Sequence, residues 1–218
     1  MNNFTIEKND FLKLDIPGYY NTDYIGYRKQ GNPDFLNVLK NTFNSYSNSI
    51  LKQAVSDLRN VLVEDWDSLV WDISYPLAIC VVPRAKVNYA PTQLLFKSTV
   101  KSVIKEMNIQ WWGSENSSDA FIDGTDYIIR NKSTKTTHLP SNTPNYNNDG
   151  DIPYPGITKA TCKISNSVKD KNIILIDDIY TKSINIDEDA IQALLDNGAK
   201  SVVFYAVAKT LANRNLIL

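Results

Sequence analysis

The chain has 218 residues, of which 43% are hydrophobic and 22% are charged, and its formal net charge is −1. This composition is typical of a globular protein with a sizeable core. The near-neutral charge gives no general attraction to nucleic acid or to an anionic membrane. No apolar run is long enough to span a bilayer, and the first residues lack the regions of a signal peptide, so we expect a cytoplasmic protein.

Cysteine and histidine are scarce, which narrows the chemistry. Cys80 and Cys162 lie in apolar, strand-like runs, where buried free thiols are the usual arrangement. Two such cysteines make neither a disulfide framework nor a zinc site. The single histidine, His138, lies in a polar segment without a recognisable nucleophile motif, which excludes multi-histidine metal sites.

The N-terminal third predicts helices and an irregular start. The first thirty residues are rich in tyrosine without regular periodicity, which indicates a packing arm or a lid. Two helices follow, with apolar faces marked by Phe35, Leu39 and Phe43 and then by Ile50, Leu51, Ala54, Leu58, Val61 and Leu62. Trp66 and Trp71 are expected to anchor the connection that comes next. We therefore expect an N-terminal helical and aromatic region over 1–75, acting as a hood or packing arm, and a core over 76–218.

The rest of the chain alternates between strands and helices. Strands are predicted at Leu77–Val82, Tyr127–Arg130, Thr161–Ile164, Ile173–Ile176 and Ser201–Ala208, with helices beginning near Pro91 and after Asn185. Because the main strands are apolar on both faces, this order predicts an α/β fold with a mostly parallel sheet flanked by helices. Residues 131–156 are rich in Asn, Thr, Ser and Pro, which predicts a long mobile loop that is either a functional lid or disordered.

One segment concentrates groups suited to ligand binding. The apolar strand Ile173–Ile176 leads into Asp177 and Asp178, then into a hydroxyl-rich loop over 181–185 and a helix. Ligands of parallel sheets collect at the carboxyl ends of the strands, where two adjacent carboxylates are costly unless a cation or a hydroxyl meets them. An isolated Asp pair is more often only a turn that ends a strand. The ordered succession of strand, acids, loop and helix favours a site.

This succession resembles the type I phosphoribosyltransferase family and is nearest to its ComF-like and amidophosphoribosyltransferase-like members. The family signature is an apolar strand, two acids and a Thr-x-Gly-x-Thr loop that leads into a helix. Asp177, Asp178 and Thr181 match the signature, whereas Ser183 replaces its glycine and Asn185 its final threonine. The similarity extends over roughly residues 77–209 and lacks the zinc ribbon common in those relatives.

The resemblance implies roles for individual residues. Asp177 and Asp178 would be catalytic, orienting the ribose hydroxyls of phosphoribosyl pyrophosphate (PRPP) and holding Mg²⁺ directly or through water. A flexible loop carrying Lys132 and Lys135 would close over the site. The residues implied to bind PRPP and its phosphates are Thr181, Lys182, Ser183, Asn185, Arg84, Ala85, Lys86 and Arg130. Asp187, Glu188 and Asp189 suit the helix dipole in the first turn, but they would repel a phosphate if they faced it.

Three functions stay open at this point. The resemblance implies a transferase that binds PRPP or a related ribose phosphate with magnesium and makes or breaks an N-glycosidic bond. The alternative is a non-catalytic nucleotide-sensing or effector subunit of a larger bacterial defence or regulatory assembly. It is motivated by Ser183, which replaces the glycine of the signature and restricts the close approach of the backbone to a phosphate. A third is hydrolysis of nucleotides, with water replacing the acceptor. The expected partners are PRPP or a nucleotide-like small molecule, together with a second copy or another protein.

Overall fold

The computed structural model describes residues 1–26, 28–69, 76–113, 121–137, 139 and 143–211. Trp71 and His138 lie outside the described residues. In chain order, the strands are β1 Asn2–Ile6, β2 Ile16–Tyr24, β3 Leu77–Val81, β4 Phe121–Asp123, β5 Ile128–Arg130, β6 Cys162–Ile164, β7 Asn172–Tyr180 and β8 Ser201–Thr210. The helices are α1 Phe35–Lys40, α2 Asn48–Leu69, α3 Leu95–Trp112, α4 Ile157–Thr161 and α5 Ile186–Asp196.

A mostly parallel sheet forms the centre of the protein, as the strand–helix alternation predicts. Its strand order is β1-β2-β8-β7-β3-β4, and every neighbouring pair is parallel except β1 with β2 at one edge. β5 and β6 form a separate antiparallel pair. The α/β fold with a mostly parallel sheet and flanking helices is therefore confirmed.

The prediction of an irregular start is wrong for residues 2–6 and 16–24, which form β1 and β2. β2 pairs in parallel with β8, from Gly18 opposite Phe204 to Tyr24 opposite Thr210, so this region belongs to the central sheet. Pro17 and Gly18 conceal the strand in the sequence, because both residues normally interrupt one. A Cβ atom at position 18 would lie 2.6 Å from Cε1 of Phe4, so a larger residue there requires the Phe4 ring to move. The expected division into an N-terminal region over 1–75 and a core over 76–218 stays a prediction.

The strand predicted at Tyr127–Arg130 is present, but it lies outside the central sheet. This strand is β5, which pairs with β6. The strand beside β3 is β4, whose three residues pair with Leu77 to Ile79. Three residues are too few to give a periodicity in the sequence. Trp66, expected in a connection, lies inside α2 and is fully buried.

Helices cover both faces of the sheet. On one face, α1, α2 and α3 pack on Leu77, Ile79, Ile174 and Ile176, and on the other face α5 packs on Ile173 and Leu175. Alternate residues of β3 and β7 thus enter two different cores, which explains why these strands are apolar throughout. Cys80 and Cys162 are buried free thiols, as predicted.

A buried polar contact ties α2 to the sheet within the first of these cores. Asp65 of α2 is only 3% exposed and accepts hydrogen bonds from the Tyr205 hydroxyl at 2.6 Å and from Nδ2 of Asn21 at 3.1 Å. Both of its oxygens therefore have donors, which buried charge requires. Within the described ranges, no helix has the length and apolar character needed to cross a membrane.

The order of the strands creates a reversal between β3 and β7. After β3 the chain passes through α3 to β4 on one side, and after β7 it passes through α5 to β8 on the other side. Adjacent strands whose connections leave in opposite directions open a crevice at their carboxyl ends, which is where ligands bind in open α/β sheets. The Asp177-Asp178 pair lies at this point.

Candidate functional site

Asp177 and Asp178 lie beside the end of β3 but inside β7. β3 ends at Val81, which is opposite Ile176, so the two carboxylates come directly after the part of β7 that pairs with β3. On its other side β7 continues along β8 as far as Tyr180. The prediction that the strand ends before Asp177 is therefore right for the pairing of β7 with β3 and wrong for its pairing with β8. The consequence is that the acids lie at the rim of the sheet next to the loop that follows β3.

The two neighbouring carboxylates have different partners. Asp178 forms an ion pair with Lys40, the last residue of α1, with 3.0 Å between Oδ2 and Nζ. Asp177 accepts a hydrogen bond from the backbone N–H of Asp178 at 2.8 Å and interacts with Asp187 of α5. The site therefore joins helices from both faces of the sheet.

The electrostatics of the cluster separate the two acids. Burial, together with repulsion from Asp178, raises the pKa of Asp177 to about 7. Burial and the neighbouring Asp177 also raise the pKa of Asp187 well above its usual value. Burial lowers the pKa of Lys40, but the combined effects of Asp178, Asp177 and Tyr24 outweigh it and the pKa is raised, so the ammonium is charged. Lys40 is thus the cation beside several carboxyl groups, and the raised pKa values favour protonation of Asp177 and Asp187.

The acids in the first turn of α5 point into the protein. Asp187, Glu188 and Asp189 are 4%, 1% and 3% exposed. Asp189 accepts hydrogen bonds from two backbone N–H groups at the start of α4, at 2.6 and 2.5 Å, and Glu188 accepts one from the Tyr180 hydroxyl at 2.7 Å. These contacts explain why acidic residues stand where a phosphate-binding helix start was expected. They hold elements together.

The predicted phosphate loop is a tight turn that the N-terminal residues help to hold. The backbone N–H of Ile184 donates to the Thr181 carbonyl at 2.9 Å, and Asn185 adopts a left-handed conformation with φ of 59°. Asn185 Oδ1 accepts from Nδ2 of Asn9 at 3.0 Å, and Lys182 pairs with Glu7 at 2.6 Å. Ser183 is exposed. Of the four predicted phosphate contacts here, Lys182 and Asn185 thus bind other parts of the chain.

Arg84 follows β3 as predicted, but its guanidinium has protein partners. Nη1 donates to the carbonyl of Lys40 at 2.7 Å and to the carbonyl of Gln93, and the guanidinium carbon lies 4.0 Å from the centre of the Tyr89 ring. Lys86 Nζ pairs with Asp149 at 3.0 Å. Arg84 therefore fixes the end of α1 against the loop after β3.

Arg130 also has a structural role. Its Nε donates to the Arg84 carbonyl at 3.1 Å, and Nη1 donates to the hydroxyl of Thr161. Burial lowers its pKa. Thr134 N–H donates to the Ala85 carbonyl at 2.8 Å, so two segments predicted to bind phosphate are brought together through their backbones.

The described residues of the predicted mobile loop are joined by hydrogen bonds. Asn148 is buried and accepts from the Thr136 N–H at 2.7 Å, while its Nδ2 donates to the Thr136 carbonyl at 3.2 Å. Lys132 is exposed and pairs with Asp151 at 2.6 Å, and Lys135 donates its backbone N–H to the Asp151 carbonyl. Neither side chain of the two lysines contacts Asp177 or Asp178.

Magnesium at the two aspartates stays a prediction, and the Lys40 ammonium would compete with it for Asp178. Over the described ranges, no group of three or more His, Cys, Asp or Glu residues is arranged to hold a metal ion. The Lys40 ammonium already lies 3.0 Å from Asp178. At an effective dielectric constant of about 20, that ammonium would repel a dication about 5 Å away by roughly 7 kcal/mol, and this repulsion would oppose the attraction of the two carboxylates.

Two cavities in the described part of the chain lie away from this site. One of about 180 Å³ is lined by residues that include Lys13, Lys159 and Gln192, and another of about 390 Å³ lies beside β1. Asp178 is largely covered, with 16% of its side chain exposed. A ligand at the Asp pair would therefore have to reach it through this exposed part of the rim of the sheet.

Sequence reasoning missed Lys40. It comes at the end of a short helix, more than 130 positions before Asp178, and no local motif surrounds it. Only the packing of α1 against the carboxyl end of the sheet brings its ammonium to the carboxylate. The three consecutive acids in the first turn of α5 are conspicuous in the sequence. Their number alone does not predict that their side chains point into the protein.

Comparison with known proteins identifies no relative: no protein-family model matches the chain, and no curated protein matches it.

Proposed function

We propose that the protein binds a phosphorylated ribose of the PRPP class at the carboxyl edge of β3 and β7, in a phosphoribosyltransferase-like core, and makes or breaks an N-glycosidic bond there. The observation that carries this proposal is the position of Asp177 and Asp178 beside the end of β3, where the connections of the sheet reverse. Carboxylate oxygens at such an edge accept hydrogen bonds from a sugar diol, which is the chemistry of a ribose site.

The two acids are suited to different tasks. Asp178 is paired with an ammonium and serves as a fixed negative charge close to a ribose ring that becomes positive as the glycosidic bond breaks. Asp177, with a pKa near 7, can hold or release a proton at neutral pH. In this proposal magnesium is held by phosphate oxygens of the ligand and by water.

A second candidate function is binding without turnover, as a nucleotide-sensing or effector subunit. It is favoured because the side chains expected to hold the phosphates already contact other protein groups. Arg84 and Arg130 donate to backbone carbonyls and to Thr161, and Lys182 pairs with Glu7. Side chains engaged in this way do not stabilise a leaving pyrophosphate unless these contacts break.

Calorimetry tests binding. PRPP, ribose 5-phosphate and nucleoside monophosphates are titrated into the protein with and without magnesium, and we expect the ribose phosphates to bind. The double substitution Asp177→Asn with Asp178→Asn should remove binding while circular dichroism stays unchanged. Asp126→Asn, which alters an exposed ion pair with Lys97, is the matched control and should bind like the wild type. Binding that persists in the double variant would disprove the assignment of the site.

Product analysis separates the two functions. Pyrophosphate release from PRPP, with the ribose product identified by mass spectrometry, would support transfer or hydrolysis, and the mass tells which acceptor was used. Tight binding without any product, across bases, ammonia and water as acceptors, would favour the non-catalytic function.

A further inference from the structure

Lys40 has unused hydrogen-bonding capacity at the proposed site. Its side chain is 20% exposed, and Asp178 is its one hydrogen-bond or ion-pair partner through Nζ among the residues that the structure describes. An ammonium carries three N–H donors. Two donors of the Lys40 ammonium are therefore available to a ligand that takes the place of water.

Contacts to the backbone at the end of α1, together with the ion pair to Asp178, hold the Lys40 ammonium. The Lys40 carbonyl accepts from Nη1 of Arg84 at 2.7 Å. The next residue, Asn41, is buried and left-handed with φ of 38°, and its carbonyl accepts from Nε2 of Gln93 at 3.1 Å. These contacts attach the end of α1 to the segment after β3. A cation held in this way binds a ligand without first being ordered, which favours affinity.

The charge of Lys40 defines the kind of ligand atom that it can meet. The ammonium lies 3.0 Å from Asp178, where the diol is proposed to bind, so a ligand held by Asp178 would lie beside the ammonium. We infer that Lys40 binds a phosphate oxygen of the sugar phosphate while Asp178 binds its hydroxyls. The inference rests on the proposed function, and it adds to the site a residue from outside the acidic motif. Lys40 would thereby supply the phosphate contact for which Arg84 is not free.

A purely structural role for Lys40 has to be separated from this binding role. Lys40→Met alone leaves Asp178 without its cation, so a loss of binding could follow from local unfolding. The informative variant is Lys40→Met combined with Asp178→Asn, in which neither charge remains. It is compared with Asp178→Asn alone. Lys40→Gln with Asp178→Asn provides a second, more polar pair, and thermal unfolding establishes that each variant is folded.

The measurement is the affinity for ribose 5-phosphate relative to ribose, obtained by ligand-observed NMR titration. This ratio isolates the contribution of the phosphate. We expect the ratio to fall at least tenfold from Asp178→Asn to either double variant. Lys13→Met, which removes an exposed lysine paired with Asp196, should leave the ratio unchanged.

The possible results have distinct meanings. If the ratio is the same in Asp178→Asn and in both double variants, Lys40 only neutralises Asp178 and the inference is overturned. If wild-type protein binds neither ribose 5-phosphate nor PRPP, the proposed function fails, and the inference that rests on it fails as well. Binding by the wild type with a lower ratio in the folded double variants supports both.

Discussion

Replacing Asp177 by asparagine should change how the stability of the protein depends on pH. Below pH 3.8 the carboxyl group is protonated in the folded and the unfolded chain. As the pH rises from 3.8 towards 7, the unfolded chain loses this proton first, because folding raises the pKa of Asp177 to about 7. The unfolded state is then favoured, so the free energy of unfolding of the wild type falls over this range and levels off above it.

The size of the effect follows from the same pKa. A carboxyl pKa near 7 instead of 3.8 corresponds to about 4 kcal/mol of lost stability. Because Asp177 shares its surroundings with Asp187, we expect about 2 to 4 kcal/mol for the difference between the variants. Asn cannot ionise, so Asp177→Asn should be similar in stability to the wild type near pH 4 and more stable by this amount at pH 8.

Urea denaturation of both proteins at pH 4, 5, 6, 7 and 8 measures this difference directly. Asp126→Asn is the control, since an exposed ion pair contributes less than about 1 kcal/mol and should show little change with pH. A difference between Asp177→Asn and the wild type that stays constant from pH 4 to pH 8 would refute the reasoning. So would a variant that is less stable than the wild type at pH 8.

Three further substitutions test other contacts by urea denaturation. Asp189→Asn should lower the free energy of unfolding by about 2 to 4 kcal/mol, because one of the two backbone N–H groups at the start of α4 loses its acceptor. Gly150→Ala should cost about 2 kcal/mol or more, because φ is +105° and a Cβ atom would lie 2.5 Å from the Ser133 carbonyl oxygen. Tyr205→Phe should cost about 1 to 3 kcal/mol, because it removes a 2.6 Å hydrogen bond to buried Asp65.

Each of these has a matched control at the surface. Asp67→Asn changes an exposed acid of α2, and Tyr154→Phe removes an exposed hydroxyl, so both should shift stability by less than about 0.5 kcal/mol. Gly31→Ala also introduces a Cβ atom at positive φ, but nothing lies within 4 Å, so its cost should be about 1 kcal/mol. Equal losses at Gly31 and Gly150 would show that backbone strain, and not the contact with Ser133, limits position 150.

The elements that the sequence predicted well are those with long apolar patterns. β3 and β7 are buried on both faces, so their apolar runs stand out, and α2 and α3 are long enough for their faces to be recognised. β1, β2 and β4 were missed because they are edge or near-edge strands, short or interrupted by Pro17 and Gly18. Their pairing depends on distant residues, which a local pattern does not contain.

For the candidate site, the sequence alone determined that two acids follow a buried apolar run and precede a hydroxyl-rich turn and a helix. That much is local, because strand, turn and helix each have a period or a turn chemistry of their own. The tertiary structure alone decided their partners: Lys40 for Asp178 and Asp187 for Asp177. It also directed Arg84 to backbone carbonyls. The physical reason is that charge interactions depend on distance in space, and the fold brings together groups that lie far apart along the chain.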